Sequence, residues 1–234
     1  MNFRQALGTA RQAIRANLLP GLLLQAFLVI FLLLYLLHQG TRDFLAQVAA
    51  IKHSAGLVFA FVSYSISAAV MPEILRIAFF QKGRVSRLNF WNIATGIVFW
   101  GSDGVLIDFF YRGQVLWFGS GSDFLTIACK VFVDQFVFSL FFNTPATVTY
   151  FAWRDRFFRP AALRELVQPQ RLLQRVLPAQ VAAWCIWIPG VCLIYFMPSE
   201  MQFPVAVLIQ VFWVLVLTLI NTDRPQEPAP AARL

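Results

Sequence analysis

The stretch Phe124–Trp153, FLTIACKVFVDQFVFSLFFNTPATVTYFAW, constrains the chain most. It is long and apolar enough for a membrane helix, yet it holds Lys130, Asp134 and Gln135. Each is costly in hydrocarbon and survives only against other protein or water. On an α-helix Lys130 and Asp134 share a face and are spaced to pair, while Gln135 lies about 100° further round. One face of this helix is therefore expected to look inward.

The rest of the chain agrees. Of 234 residues 59% are hydrophobic and only 13% are charged. That is about half the usual ~25% charged share, which excludes an ordinary soluble domain and leaves an all-α, polytopic membrane helical bundle. The net charge of +8 falls between apolar runs. Membrane topology accounts for it better than nucleic acid, which is not an expected partner; the lipid bilayer is. Cys129, Cys185 and Cys192 lie inside apolar segments without metal-ligand spacing, and neither cofactor nor metal is expected.

About six spans can be read, near residues 21–37, 54–80, 90–111, 124–150, 178–197 and 203–220, within a membrane domain of 20–221. Residues 1–19, with Arg4, Arg11 and Arg15, read as an amphipathic surface helix leading into an uncleaved first span. Residues 38–53 read as a short loop with some helical character, in which His38 and His53 are interfacial, and the proline-rich 222–234 as a disordered tail. The basic segments (the N-terminus, 81–89 and 154–177) fall on one side of a six-span bundle, and the opposite loops are nearly neutral. This is the positive-inside pattern of an N-in, C-in protein.

Polar residues inside the spans are the candidate site. Glu73 stands three before Arg76, spaced to pair; Asp103 lies deep in the third span; Asp108, near its end, is expected to reach the interface. With Lys130, Asp134 and Gln135, Glu73 and Asp103 come from three successive spans. If their faces converge, they line a water-filled path that passes small solutes without sharp selectivity. If not, they join helices through ordinary interhelical hydrogen bonds. Arg154, Arg156 and Arg159 open the Arg-rich segment, read as a topology signal or as a face toward anionic lipid or phosphorylated metabolites.

The pattern resembles the Mpv-seventeen/peroxisomal-membrane-protein-twenty-two family over about residues 54–220. Pro72-Glu73 stands where that family has Gly-Asp. Arg87, Gly96, Gly104 and Phe110-Tyr111 resemble its basic loop and glycine-rich helix. Lys130, Asp134 and Gln135 match its Lys-x-x-x-Asp-Gln, and Trp187, Phe196-Met197-Pro198 and Trp213 resemble its closing pattern. The proline soon after Asp-Gln is missing, Gln202 replaces an Arg, the Asn before the family's Phe is not evident, and residues 1–50 have no counterpart. The resemblance implies a helical bundle in a mitochondrial inner, peroxisomal or related membrane that acts as a weakly selective channel for small solutes or metabolites. The arginine bias makes a bacterial cytoplasmic membrane an equal expectation.

An enzyme is not expected. There is no His-Glu-x-x-His helix, Gly-x-Ser-x-Gly elbow or phosphate loop, and Ser102-Asp103-Gly104 lacks the second acidic motif of an intramembrane aspartyl protease. Paired titration of Asp103 and Asp134 would be the enzymatic alternative. The other alternative is a non-catalytic structural or assembly subunit, docking on a homo-oligomer or a partner membrane protein through residues 1–50, with the aromatic residues as its contact surface.

Overall fold

The computed structural model describes residues 18–221; the amphipathic segment over 1–17 and the tail over 222–234 lie outside the described residues. Within them the chain forms helices and no strand. In order these are α1 (Leu18–Leu37), α2 (Gln39–Ala55), α3 (Leu57–Phe80), α4 (Arg87–Phe118), α5 (Phe124–Arg154), α6 (Pro160–Leu166), α7 (Pro169–Phe196) and α8 (Ser199–Asn221). Among the described residues α3, α4, α5 and α7 are long and apolar enough to cross a membrane, a fifth span results if α1 and α2 count as one bent unit, and α8 is apolar over Ser199–Leu215.

Residues 38–53 are not a loop. They enter α2, which meets α1 at a bend of 98°. His38 caps α2, its ring Nδ1 accepting from the Thr41 backbone N–H at 3.2 Å, and Leu45 and Ala49 bury one face. The 154–177 segment is also largely helical, containing α6 and the first turns of α7, since Pro160 and Pro169 each sit where a helix tolerates proline, in the first turn.

The core lies where α1, α7 and α8 meet, around Leu24, Leu28, Ile194, Tyr195, Phe203 and Ile209, with Phe27 stacked on Phe212 at 4.1 Å. α3 and α4 approach closely because small residues permit it. A β-carbon on Gly104 would stand 2.7 Å from the Ala60 carbonyl oxygen and 2.6 Å from the Tyr64 β-carbon; one on Gly96 would stand 2.8 Å from the Ala69 β-carbon. The outer surface is apolar. Leu22, Val29 and Leu33 of α1, Val58 of α3, Val98 and Leu106 of α4, and Phe132 and Phe141 of α5 are all exposed, a surface suited to lipid.

Two spans are not regular. α3 contains π-helical turns at Ile66–Val70 and Arg76–Phe80, and α5 is π-helical over Val133–Asn143. The first and third of these run up to a proline, Pro72 and Pro145. Proline has no N–H to give and its ring crowds the carbonyl four residues back, so the turn ahead of it widens. Wide turns free backbone carbonyls for outside donors; Gln135 O accepts from the Trp184 indole at 3.1 Å.

Candidate functional site

The widened turns face an open-mouthed cavity of about 610 Å³ lined by α3, α4, α5, α7 and α8, within the range of small-molecule sites. It extends from Glu73 and Arg76 at the end of α3, and Arg154 at the end of α5, inward to Asp103, Tyr111 and Asp134. It thus lies toward the end of the bundle that carries the basic 81–86 and 154–168 segments.

Four of the five polar candidates inside the spans line this cavity: Glu73, Asp103, Asp134 and Gln135. Glu73 is buried and densely held. Asn89 Nδ2 donates to Oε2 at 2.7 Å, Asn92 Nδ2 to Oε1 at 2.8 Å, and Arg76 pairs with Oε1 at 3.5 Å. The spacing of Asn89 and Asn92 places both on one face of α4. Asn89 also accepts from the backbone N–H of Ser86, closing a capping box that fixes the start of α4.

Asp134 and Asp103 differ from Glu73 in having only neutral partners. Tyr195 Oη donates to Asp134 Oδ2 at 2.6 Å and Gln135 Nε2 to Oδ1 at 2.8 Å. Asn143 Nδ2 donates to Asp103 Oδ1 at 3.3 Å, while Asp103 Oδ2 and Gln135 Oε1 are enclosed and receive no hydrogen bond. Nearby, Thr144 donates to Gln180 Oε1 at 2.5 Å and Gln180 Nε2 to Ser139 at 3.1 Å, joining α5 to α7. Trp100, Trp187 and Trp213 contribute rings to the wall.

Lys130 does not join this group. It is fully buried, its ammonium lies over the Tyr195 ring at 5.8 Å, and its Nζ makes no hydrogen bond among the described residues. The pairing with Asp134 expected from their spacing is absent for two reasons. The ammonium lies over the Tyr195 ring instead, and the helix passes from α to π hydrogen bonding at Val133, so α-helical spacing does not continue to Asp134.

Asp108 is wholly buried, bridged by Lys52 of α2 at 2.7 Å and Arg112 at 2.7 Å. Lys52 stands in the segment read as a loop with some helical character; Leu45, Ala49 and Lys52, spaced by four and three, share one face of its helix. Tyr195 and Gln180 carry no local spacing that marks them in the sequence.

The three loop arginines part company. Arg154 reaches the cavity wall, lies 4.9 Å from the centre of the Phe151 ring and pairs with Asp155 at 3.2 Å. Arg156 pairs with Glu165 at 3.0 Å, and Glu165 also meets Arg171. Arg159 contributes its carbonyl, which accepts from the Trp153 indole at 2.9 Å.

Among the described residues no three His, Cys, Asp or Glu side chains are grouped to hold a metal ion. Comparison with protein-family models, curated proteins and solved structures gives no match to this chain.

Proposed function

We propose that this chain is a six-span membrane protein, N-in and C-in, that passes small hydrophilic solutes along a weakly selective path through its bundle. One observation carries the reading: Glu73, Asp103, Asp134 and Gln135, from three helices, line a single cavity instead of being scattered over separate helix contacts. Polar side chains in apolar helices are expensive, and their gathering around one space is what a solute path requires. Counting the bent α1–α2 unit as the first span and the shorter apolar α8 as the last supports six. Resemblance to the Mpv-seventeen/peroxisomal-membrane-protein-twenty-two family points the same way and supports a mitochondrial inner or peroxisomal membrane, while the arginine bias supports a bacterial cytoplasmic membrane equally.

The test is conductance of the purified protein in a planar bilayer. Discrete openings are expected, with Asp134→Asn changing both their size and their ion preference. Wild-type-like openings in that variant would remove Asp134 from the path. A silent bilayer with folded protein would favour an accessory subunit, with residues 1–50 docking on a partner.

A further inference from the structure

The cavity is lined by more carboxyl groups than cationic ones, and those without a cationic partner lie at its inner end. Its lining contains three carboxylates, Glu73, Asp103 and Asp134, and two guanidinium groups, Arg76 and Arg154. The arginines are engaged at the outer end, Arg76 with Glu73 and Arg154 with Asp155. Asp103 and Asp134 are then left with amide and phenol donors alone. The one buried cation on the same helix, Lys130, is outside the lining and lies over the Tyr195 ring.

A second observation is independent of the acids. Gln135 is 3% exposed and lines the cavity, yet its Oε1 accepts nothing. Asp103 Oδ2 is likewise unmatched. Buried acceptors left without donors are rare in folded proteins and cost free energy. These two unmatched acceptors line the same cavity as Asp134, whose partners are neutral, and call for N–H donors carrying positive charge. Tyr64 and Tyr111 line the same cavity as Asp103 and Asp134. With Trp187 they offer the aromatic faces on which an ammonium is stabilised.

We infer that the inner end of the cavity binds a small organic cation, a protonated amine, with Asp103, Asp134 and Gln135 Oε1 as its acceptors and the surrounding aromatic rings enclosing its apolar part. A compact ammonium supplies three donors, one for each acceptor. Among the described residues no three His, Cys, Asp or Glu side chains are grouped to hold a metal ion. The inference rests on the solute-path reading and names the class of solute its inner site holds.

The experiment uses the full-length protein in lipid nanodiscs, titrated by calorimetry with phenethylammonium, neutral 2-phenylethanol and anionic 3-phenylpropionate, each corrected against empty nanodiscs. Saturable binding of phenethylammonium is expected, with at least about tenfold weaker binding of the other two. Asp103→Asn and Asp134→Asn, near-isosteric changes, should each weaken phenethylammonium by about tenfold or more. Asp43→Asn, on the exposed side of α2, should not. Equal affinity for the neutral or anionic probe, absence of saturable binding, or unaltered affinity in both cavity variants would overturn the proposal. Should the variants fail to fold, the three probes on the wild type decide it alone. A conducting protein that ignores phenethylammonium refutes the cation site and leaves the path standing; binding without conductance does the reverse.

Discussion

Asp103 and Asp108 stand five residues apart on α4, about 140° apart around the helix. Both are acids inside an apolar span, yet the bundle treats them in opposite ways. Asp108 is 0% exposed and clamped between two cations, Lys52 and Arg112. Asp103 opens onto the cavity with a single neutral donor and an unmatched oxygen. The first is a completed ion cluster that ties α2 to α4, a fastener. The second leaves a charge uncompensated where space is open beside it. Burial alone does not mark function in a membrane bundle; the distinction lies in whether a buried charge has been answered.

The largest expected effect breaks the fastener. Asp108→Ala leaves Lys52 only 13% exposed and without its partner. Removing one member of a buried pair costs about 3–5 kcal/mol, and the half-exposed Arg112 argues for about 3. Asp103→Ala removes one long hydrogen bond and an uncompensated carboxylate, so it should cost about 1 kcal/mol or less. Unfolding in mixed micelles with increasing sodium dodecyl sulfate measures both. Equal losses at the two positions would erase the distinction.

A smaller effect sharpens the comparison by acting between the two acids. Gly104 follows Asp103 and lets α3 come close enough for Tyr64 to reach the cavity. In Gly104→Ala the new methyl group meets the Ala60 carbonyl, which is backbone and cannot swing aside. The helices must separate, at about 1–3 kcal/mol by the same unfolding measurement. Asp108 should stay paired, because Lys52 comes from α2. A variant as stable as wild type would show the α3–α4 contact to be slack.

Much of this was legible before folding. Glu73, Asp103, Asp134 and Gln135 announced themselves because each is expensive in an apolar run, and cost is a property of the residue and its neighbours in sequence. What escaped was what depends on a partner from a distant segment. Lys52 meets Asp108 across 56 positions, and Tyr195 meets Asp134 across 61; no local spacing encodes either. The Lys130–Asp134 pair failed for a related reason. Spacing by four presupposes a regular helix, and α5 widens into π turns ahead of Pro145. The proline was visible, but the direction and length of its disturbance are settled by what packs around it.

The smallest effect comes from a third carboxylate of the same chemistry placed in water. Asp123 caps α5, its Oδ1 accepting from the Thr126 backbone N–H at 3.0 Å. Hydrogen bonds from Thr126 hold its pKa below the ordinary 3.8. A lowered folded pKa means the cap's contribution is present above 3.8 and is lost as the pH falls through the folded value. Asp123→Ala should therefore speed hydrogen exchange at Thr126 and the first turn of α5 at neutral pH, and the difference from wild type should vanish in acid. Because the group is exposed, water replaces most of what the carboxylate gives, so the cavity and the Asp108 cluster should stay intact. A change at Asp134 or Asp108 in this variant would mean that the start of α5 positions the interior, and that the contrast between answered and unanswered acids is set outside the span.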